Sequence, residues 1–304
     1  MILDGLVLLF GGRKREGDFA QTTQKLDPTD FVWKDVILAN NEVPTPMMRS
    51  KGSCTVHNNR AWICGGNRPV PGQFGSGVPI DTCFSFGYFS FVVHTFETVL
   101  SISLQNGWRQ EPDMPEVIND PAITGYEPDR ALYIIGGKIN YRDSNTVRVL
   151  KRGKWELGPY LPEKISGAHA IFLDHFIYVF GGTSNTQILR YSPTENPGTW
   201  QKFGKLNRKK EYLGIEMSFF NCVYKKNIFL HFMLSPGHAL QFILASVVVG
   251  RHVWIIGGCC TVGDNTIERF DSSTNRTSNR SLNALQIMAL INKPENLKRP
   301  RTKS

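Results

Sequence analysis

The side chains of this 304-residue chain best suited to chemistry are seven histidines and six cysteines, and their spacing decides what they can do. His57, His94, His169, His175, His231, His238 and His252 include no His-x-x-x-His or His-Glu-x-x-His pattern, the spacing that sets two imidazoles on one helix face for zinc. His169 and His175 lie six apart on an expected strand that enters a turn, which favours a structural role over metal ligation. Cys54, Cys64, Cys83, Cys222, Cys259 and Cys260 form no Cys-x-x-Cys pair. That spacing offers neither a zinc site nor a small disulfide framework, and reduced core thiols of an intracellular protein are expected. A Gly-x-Ser-x-Gly nucleophile elbow and a Gly-x-x-x-x-Gly-Lys-Ser/Thr phosphate loop are both absent from the sequence. No catalytic residue, metal or cofactor is expected from this inventory.

The formal net charge is +9, from 35 Lys and Arg against 26 Asp and Glu. Five basic residues (Lys293, Lys298, Arg299, Arg301, Lys303) against Glu295 place four of those nine charges in residues 293–304. That segment reads as a basic, flexible tail, with a nuclear import signal as the sharper alternative. The modest charge on the rest gives no reason to expect nucleic acid as a partner. Residues 1–12 carry Asp4 and lack a basic start and a cleavage site, so no secretory leader is expected. The expected location is the cytoplasm, with the nucleus as the second compartment. Asn275 and Asn279 stand in glycosylation sequons, a pattern that matters only in a secreted protein.

The elements that must position any site are legible from a repeat. Five apolar runs each end in two glycines: LVLLFGG (6–12), AWICGG (61–66), LYIIGG (132–137), FIYVFGG (176–182) and HVWIIGG (252–258). Short, β-branched and aromatic runs of this kind predict buried strands. Paired glycines permit positive φ and close backbone approach where each strand ends. Trp33, Trp108, Trp155 and Trp200 follow the second glycine by 21, 42, 18 and 18 residues, while the fifth repeat has Thr277 at 19. One large ring at a fixed place per repeat suits packing between adjacent sheets. A Pro-bearing link then leads to the next strand, as in residues 43–49 and 160–165.

This pattern resembles the kelch repeat. The matching features are the Gly-Gly after an apolar run, the turn before the Trp, and the Leu-Pro link, recurring over most of residues 1–282. The resemblance implies an all-β, kelch-type β-propeller of about five four-stranded blades over residues 1–292. In kelch proteins the partner-binding face often includes residues just before the strand that leads to Gly-Gly. The matching positions are Arg49 and Lys51, Asn119 and Asp120, Lys164 and Ser166, and Arg208 and Lys210. Arg and Lys there would favour an acidic peptide through charge-assisted hydrogen bonds.

The Gly-Gly pairs are 54, 71, 45 and 76 residues apart, whereas a kelch unit is about 50. The excess falls on two apolar stretches, near 84–104 and 215–240. Three readings stand: membrane spans, broken by His94, Glu97, Pro236 and His238; partner-binding loops; or segments foreign to the ancestral fold. The first repeat starts on its Gly-Gly strand, so its preceding strand is expected from residues 285–291, closing a five-bladed ring. The alternative is a fragment of a six- or seven-bladed ring.

The resemblance implies a non-catalytic protein-interaction module. Substrate recognition for a ubiquitin ligase and cytoskeletal scaffolding are the roles it suggests, with no membrane expected. The alternative is a propeller enzyme, either galactose-oxidase-like or carbohydrate-active. The Tyr and His copper set that a copper-radical oxidase needs is not found in the sequence.

Overall fold

The computed structural model describes residues 2–3, 6–10, 23–26, 33–35, 49, 52–58, 60–70, 73–87, 91–94, 99–102, 107–183, 186–195, 198–207, 245–249, 252–256 and 267–280. Among these residues the only helical element is one 3-10 turn, Glu127–Asp129; no helix is long and apolar enough to cross a membrane. The rest is dominated by five four-stranded antiparallel sheets in chain order. Sheet one is Ile2–Leu3, Leu6–Phe10, Thr23–Leu26 and Trp33–Asp35. Sheet two is Ser53–His57, Arg60–Cys64, Cys83–Gly87 and Gly107–Glu111. Sheet three is Ala122–Tyr126, Ala131–Ile135, Val147–Lys151 and Lys154–Leu157. Sheet four is Ala168–Leu173, Phe176–Gly181, Gln187–Tyr191 and Gln201–Lys205. Sheet five is Ala245–Val249, His252–Ile256, Ile267–Asp271 and Arg276–Arg280.

The core lies between the sheets. One apolar cluster joins Trp62 and Met114 to Ile123 and Leu150, bridging sheets two and three. A second joins Tyr126 and Val149 to Val179 and Trp200, bridging three and four. A third joins Ile171 and Phe180 to Val253 and Phe270, bridging four and five. A sheet covered on both faces needs apolar side chains on both. This is why the second strands are unbroken apolar runs: every residue of Ala131–Ile135 is buried. The fourth strand, at the outer edge, is mostly exposed, as in Lys154–Leu157.

Three sequence expectations change. Sheet one has its own first strand, since Ile2 and Leu3 pair with Val7 and Leu6. Residues 285–291, expected to supply it, lie outside the described residues, as do 215–240 and the basic segment 293–304. The stretch 84–104 divides: Phe84 is buried in the third strand of sheet two, while Phe91–His94 and Val99–Ile102 form a separate hairpin. Cys64 and Cys83, expected as thiols, form a disulfide. They face each other directly across the second and third strands, with Cα atoms 4.2 Å apart, a placement the sequence spacing does not reveal. Cys54 is a free thiol.

Candidate partner-binding site

The paired glycines organise one end of the sheets. Gly65 and Gly66 have φ of +64° and +90°, Gly136 and Gly137 of +62° and +92°, and Gly181 and Gly182 of +68° and +96°. Each pair therefore turns through conformations open to glycine. The turn lets the link to a sheet pass close against backbone. A Cβ on Gly65 would stand 2.5 Å from the Ile118 carbonyl oxygen, and one on Gly137 2.5 Å from Ile118 Cγ2. Ile118 is thus gripped between the glycines of sheets two and three. Ile165 is gripped in the same way, with Gly136 of sheet three against its carbonyl oxygen and Gly182 of sheet four against its side chain. Backbone bonds complete the clamp: Gly66 N–H donates to Ile118 O at 3.1 Å and Gly137 N–H to Ile165 O at 2.8 Å.

Arg49 occupies the equivalent place in sheet two. Arg49, Ile118 and Ile165 each stand four residues before Ser53, Ala122 and His169, which pair with Cys64, Ile135 and Phe180 on their second strands. Arg49 is 3% exposed. Its Nη1 donates to Gly65 O at 3.2 Å and Thr82 O at 3.0 Å, and its Nη2 to Thr82 Oγ1 at 3.0 Å. The guanidinium also stands 5.4 Å from the centre of the Phe84 ring. Burial pushes its pKa down to about 10, which leaves it charged at neutral pH.

The expected binding positions therefore separate. Arg49 holds backbone rather than facing outward, because the Gly65 and Thr82 carbonyls draw its guanidinium inward. Asn119 and Asp120 are buried; Asn119 exchanges backbone hydrogen bonds with Lys138, and Asp120 O accepts from Gly167 N–H at 2.9 Å. Ser166 is buried, donates to Asp143 Oδ1 at 2.7 Å and shares a hydrogen bond with Thr183 Oγ1. Lys164 is exposed. Lys51, Arg208 and Lys210 lie outside the described residues.

Exposed charge at this end stands on hairpins that follow the glycines. Arg68 lies on Asn67–Val70, which pairs with Gln73–Pro79; Arg142 and the half-buried Lys138 lie on the small hairpin of Lys138–Ile139 with Arg142–Asp143. The sequence reading missed these three. The available signal was the charged residues within a few positions after Gly65-Gly66 and Gly136-Gly137.

The opposite end is built from tight turns and paired charges. His57 is buried at the end of its strand; its Nδ1 lies 3.1 Å from Glu127 Oε1. Asn58 Nδ2 donates to His57 Nε2 at 3.0 Å, so Nδ1 carries the proton toward Glu127. Both ring nitrogens are thereby engaged, leaving no free base for a nucleophile. The hydrogen bond from His57 holds the Glu127 carboxyl below the usual carboxylate range. Lys151 pairs with Asp129 at 2.5 Å. Among the described residues no group of three His, Cys, Asp or Glu could hold a metal ion.

The Kelch motif family matches residues 244–276, the first three strands of sheet five. A Kelch domain-containing protein of Saccharolobus solfataricus is 39% identical over 78 residues, which are 26% of this chain and 10% of the relative's length. The solved structure of YjhT superposes with a TM-score of 0.63 at 16% identity, covering 92% of this chain and 82% of that one. This chain has the β-propeller fold and carries a kelch motif.

The tryptophans tie neighbouring blades together. The indole N–H of Trp155 donates to Pro112 O at 2.9 Å, and that of Trp200 to Pro159 O at 3.0 Å. Each bond ties the fourth strand of one blade to the link leaving the blade before it. The fifth blade, with Thr277 in place of the fourth-strand Trp, keeps such a tie: Thr277 Oγ1 donates to Lys205 O at 2.8 Å. The matched segment ends at Arg276, one residue before this substitution. Link residues add polar ties between the same neighbours. Arg148 pairs with Glu116 at 2.7 Å, and Asn207 N–H donates to the buried Glu268 at 2.7 Å.

Proposed function

We propose that this kelch propeller is a non-catalytic protein-interaction module whose Gly-Gly end receives an acidic segment of a protein partner. One observation carries the reading. At that end, links clamped by glycines support exposed Arg68, Arg142 and Lys164, and among the described residues none of the three is held in an ion pair. A rigid base with unneutralised charge on its loops suits recognition of carboxylates. The identity to a Kelch domain-containing relative supports the class of module, though the matched part is a small fraction of that protein. Substrate recognition for a ubiquitin ligase, or cytoskeletal scaffolding, is the role proposed for such a module, in the cytoplasm or nucleus. Nucleic acid and membrane are not proposed as partners.

The test is affinity capture from native extract with the purified chain and its Lys164→Glu/Arg142→Glu variant, followed by mass spectrometry. The expected result is a partner with an acidic segment, retained by wild type and depleted at least tenfold by the variant. Identical captures would remove the charge-based reading. Turnover of a small-molecule substrate by the purified chain would remove the non-catalytic one.

A further inference from the structure

Tyr141 closes the small hairpin of blade three under conditions that its own packing does not repay. Asn140 and Tyr141 have φ of +50° and +62°, the mirror-image two-residue turn in which the second place is ordinarily glycine. A bulky side chain is strained in that region. The Tyr141 ring is nevertheless 78% exposed, so the strain is not offset by burial within the chain. Strain retained at an exposed aromatic residue points to use of the ring by something else.

The hairpin is a fixed mount. Lys138 N–H donates to Asn119 O at 2.6 Å and Ser144 N–H to Gly137 O at 2.8 Å. Asp143 accepts from Ser166 Oγ at 2.7 Å, which commits the hairpin's own carboxylate to the fold. The link to blade four is fastened alongside: Leu161 N–H donates to Asn145 O at 2.9 Å and Ile165 N–H to Ser144 O at 2.9 Å. That link carries Tyr160, 55% exposed, and the exposed Lys164. The hairpin thus carries exposed Tyr141 and Arg142 with half-buried Lys138, and the link fastened to it carries exposed Tyr160 and Lys164 with half-buried Glu163.

We infer that Tyr141 is the aromatic anchor of the partner site, packing against an apolar residue of an acidic protein segment whose carboxylates meet Arg142 and Lys164. This rests on the interaction reading above and names the place where it acts. Tyr is well suited to such a role, giving large contact area with few rotamers to fix. The combination of bare aromatic surface and unneutralised basic charge selects a peptide carrying both apolar and acidic residues.

The test uses a random twelve-residue peptide display library selected on the immobilised full chain, with synthetic copies of the enriched peptides then titrated against variants. Enriched peptides are expected to carry Asp or Glu beside an apolar residue. Tyr141→Gly should weaken binding at least tenfold, Arg142→Glu by a similar factor, and Tyr141→Phe by less than twofold. Tyr141→Gly also relieves the positive φ, so its thermal midpoint should equal or exceed wild type, separating lost binding from lost folding. Enriched peptides that bind Tyr141→Gly as tightly as wild type would overturn the anchor while leaving the interaction reading in place. Enrichment of basic or uncharged peptides would overturn the choice of occupant. A library from which nothing is enriched would count against both.

Discussion

The two ends of the blades solve the same problem, turning a strand, in opposite ways. At one end tight turns reverse the chain and some charges are paired locally, as in Lys151 with Asp129 and His57 with Glu127, while Arg152 stands exposed. At the other end the chain must travel between blades, and glycines clamp the travelling link. Hairpins and links there extend outward and carry Arg68, Arg142 and Lys164, none of them in an ion pair among the described residues. The difference teaches that the clamped end combines close backbone packing with projecting hairpins, and it is the end proposed above to receive a partner. Glycines at the two ends should therefore respond very differently to substitution.

The largest expected effect is at the clamp. Gly137→Val would place Cβ 2.5 Å from Ile118 Cγ2 and 2.8 Å from Asn119 O, at φ +92°. Overpacking against backbone together with a forced positive φ should cost roughly 3–5 kcal/mol. Gly153→Ala at the turn end has φ +75° and nothing within 4 Å, so about 1 kcal/mol is expected from backbone strain alone. Urea unfolding of both variants checks the comparison, and equal losses would break it.

The next effect compares fillings of one slot. Ile165→Ala should cost about 2–5 kcal/mol by opening a cavity under two glycine pairs. Arg49→Leu should cost about 1–3 kcal/mol, because Gly65 O and Thr82 O lose a charged donor while the apolar volume is largely kept. Ile165→Arg should be worse than either, since it brings a charge into an apolar cluster. A well-tolerated Ile165→Arg, judged by thermal unfolding, would show that the slot is not the closed one described.

Ties between outer strands and links should matter less. Trp200→Phe removes the bond to Pro159 O, and Thr277→Val the bond to Lys205 O; each is expected to cost about 1–2 kcal/mol. Similar losses would support the view that the fifth blade replaced the ring but kept the hydrogen bond. No loss for Thr277→Val would mean that blade five is held otherwise.

The arrangement of blades was legible because it depends on residues that few others can replace. Successive positive φ with backbone pressed against both residues calls for Gly-Gly, and an indole that both packs and donates calls for Trp. Other features depend on partners far along the chain. Ile2–Leu3 was missed although Asp4-Gly5, a favoured hairpin dipeptide, separates it from Leu6–Phe10. Cys64 and Cys83 are 19 residues apart, and only the hairpin between them brings their strands into register. Arg49 resembles a surface residue in type, and its burial follows from a slot filled by isoleucine elsewhere. Of the expected site, Lys164 stands exposed beside the Tyr141 hairpin. The remaining described positions serve the clamp, because residues preceding an inner strand are covered by the next blade.

The smallest expected effect is a pH dependence at the turn end. Glu127 has its folded-state pKa depressed by the bond from His57, so the pair stabilises the fold above the unfolded carboxylate pKa of about 4.3. That contribution is lost as pH falls through the folded value. The Glu127 side chain is 56% exposed, so solvent screening limits the effect to within about 1 kcal/mol. Glu127→Gln should match wild type at pH 3 and be slightly less stable at pH 7; the reverse order would contradict the bond's role.

The central claim is that the Gly-Gly end, and not the turn end, receives an acidic partner. Blade three carries an exposed Lys164 at the first end and an exposed Arg152 at the second. Binding of a captured partner or selected peptide should therefore be measured by titration with Lys164→Glu and with Arg152→Glu, two charge reversals of equal size. The account predicts at least a tenfold loss for Lys164→Glu and a change of less than twofold for Arg152→Glu. The opposite ranking, or equal losses, would contradict it.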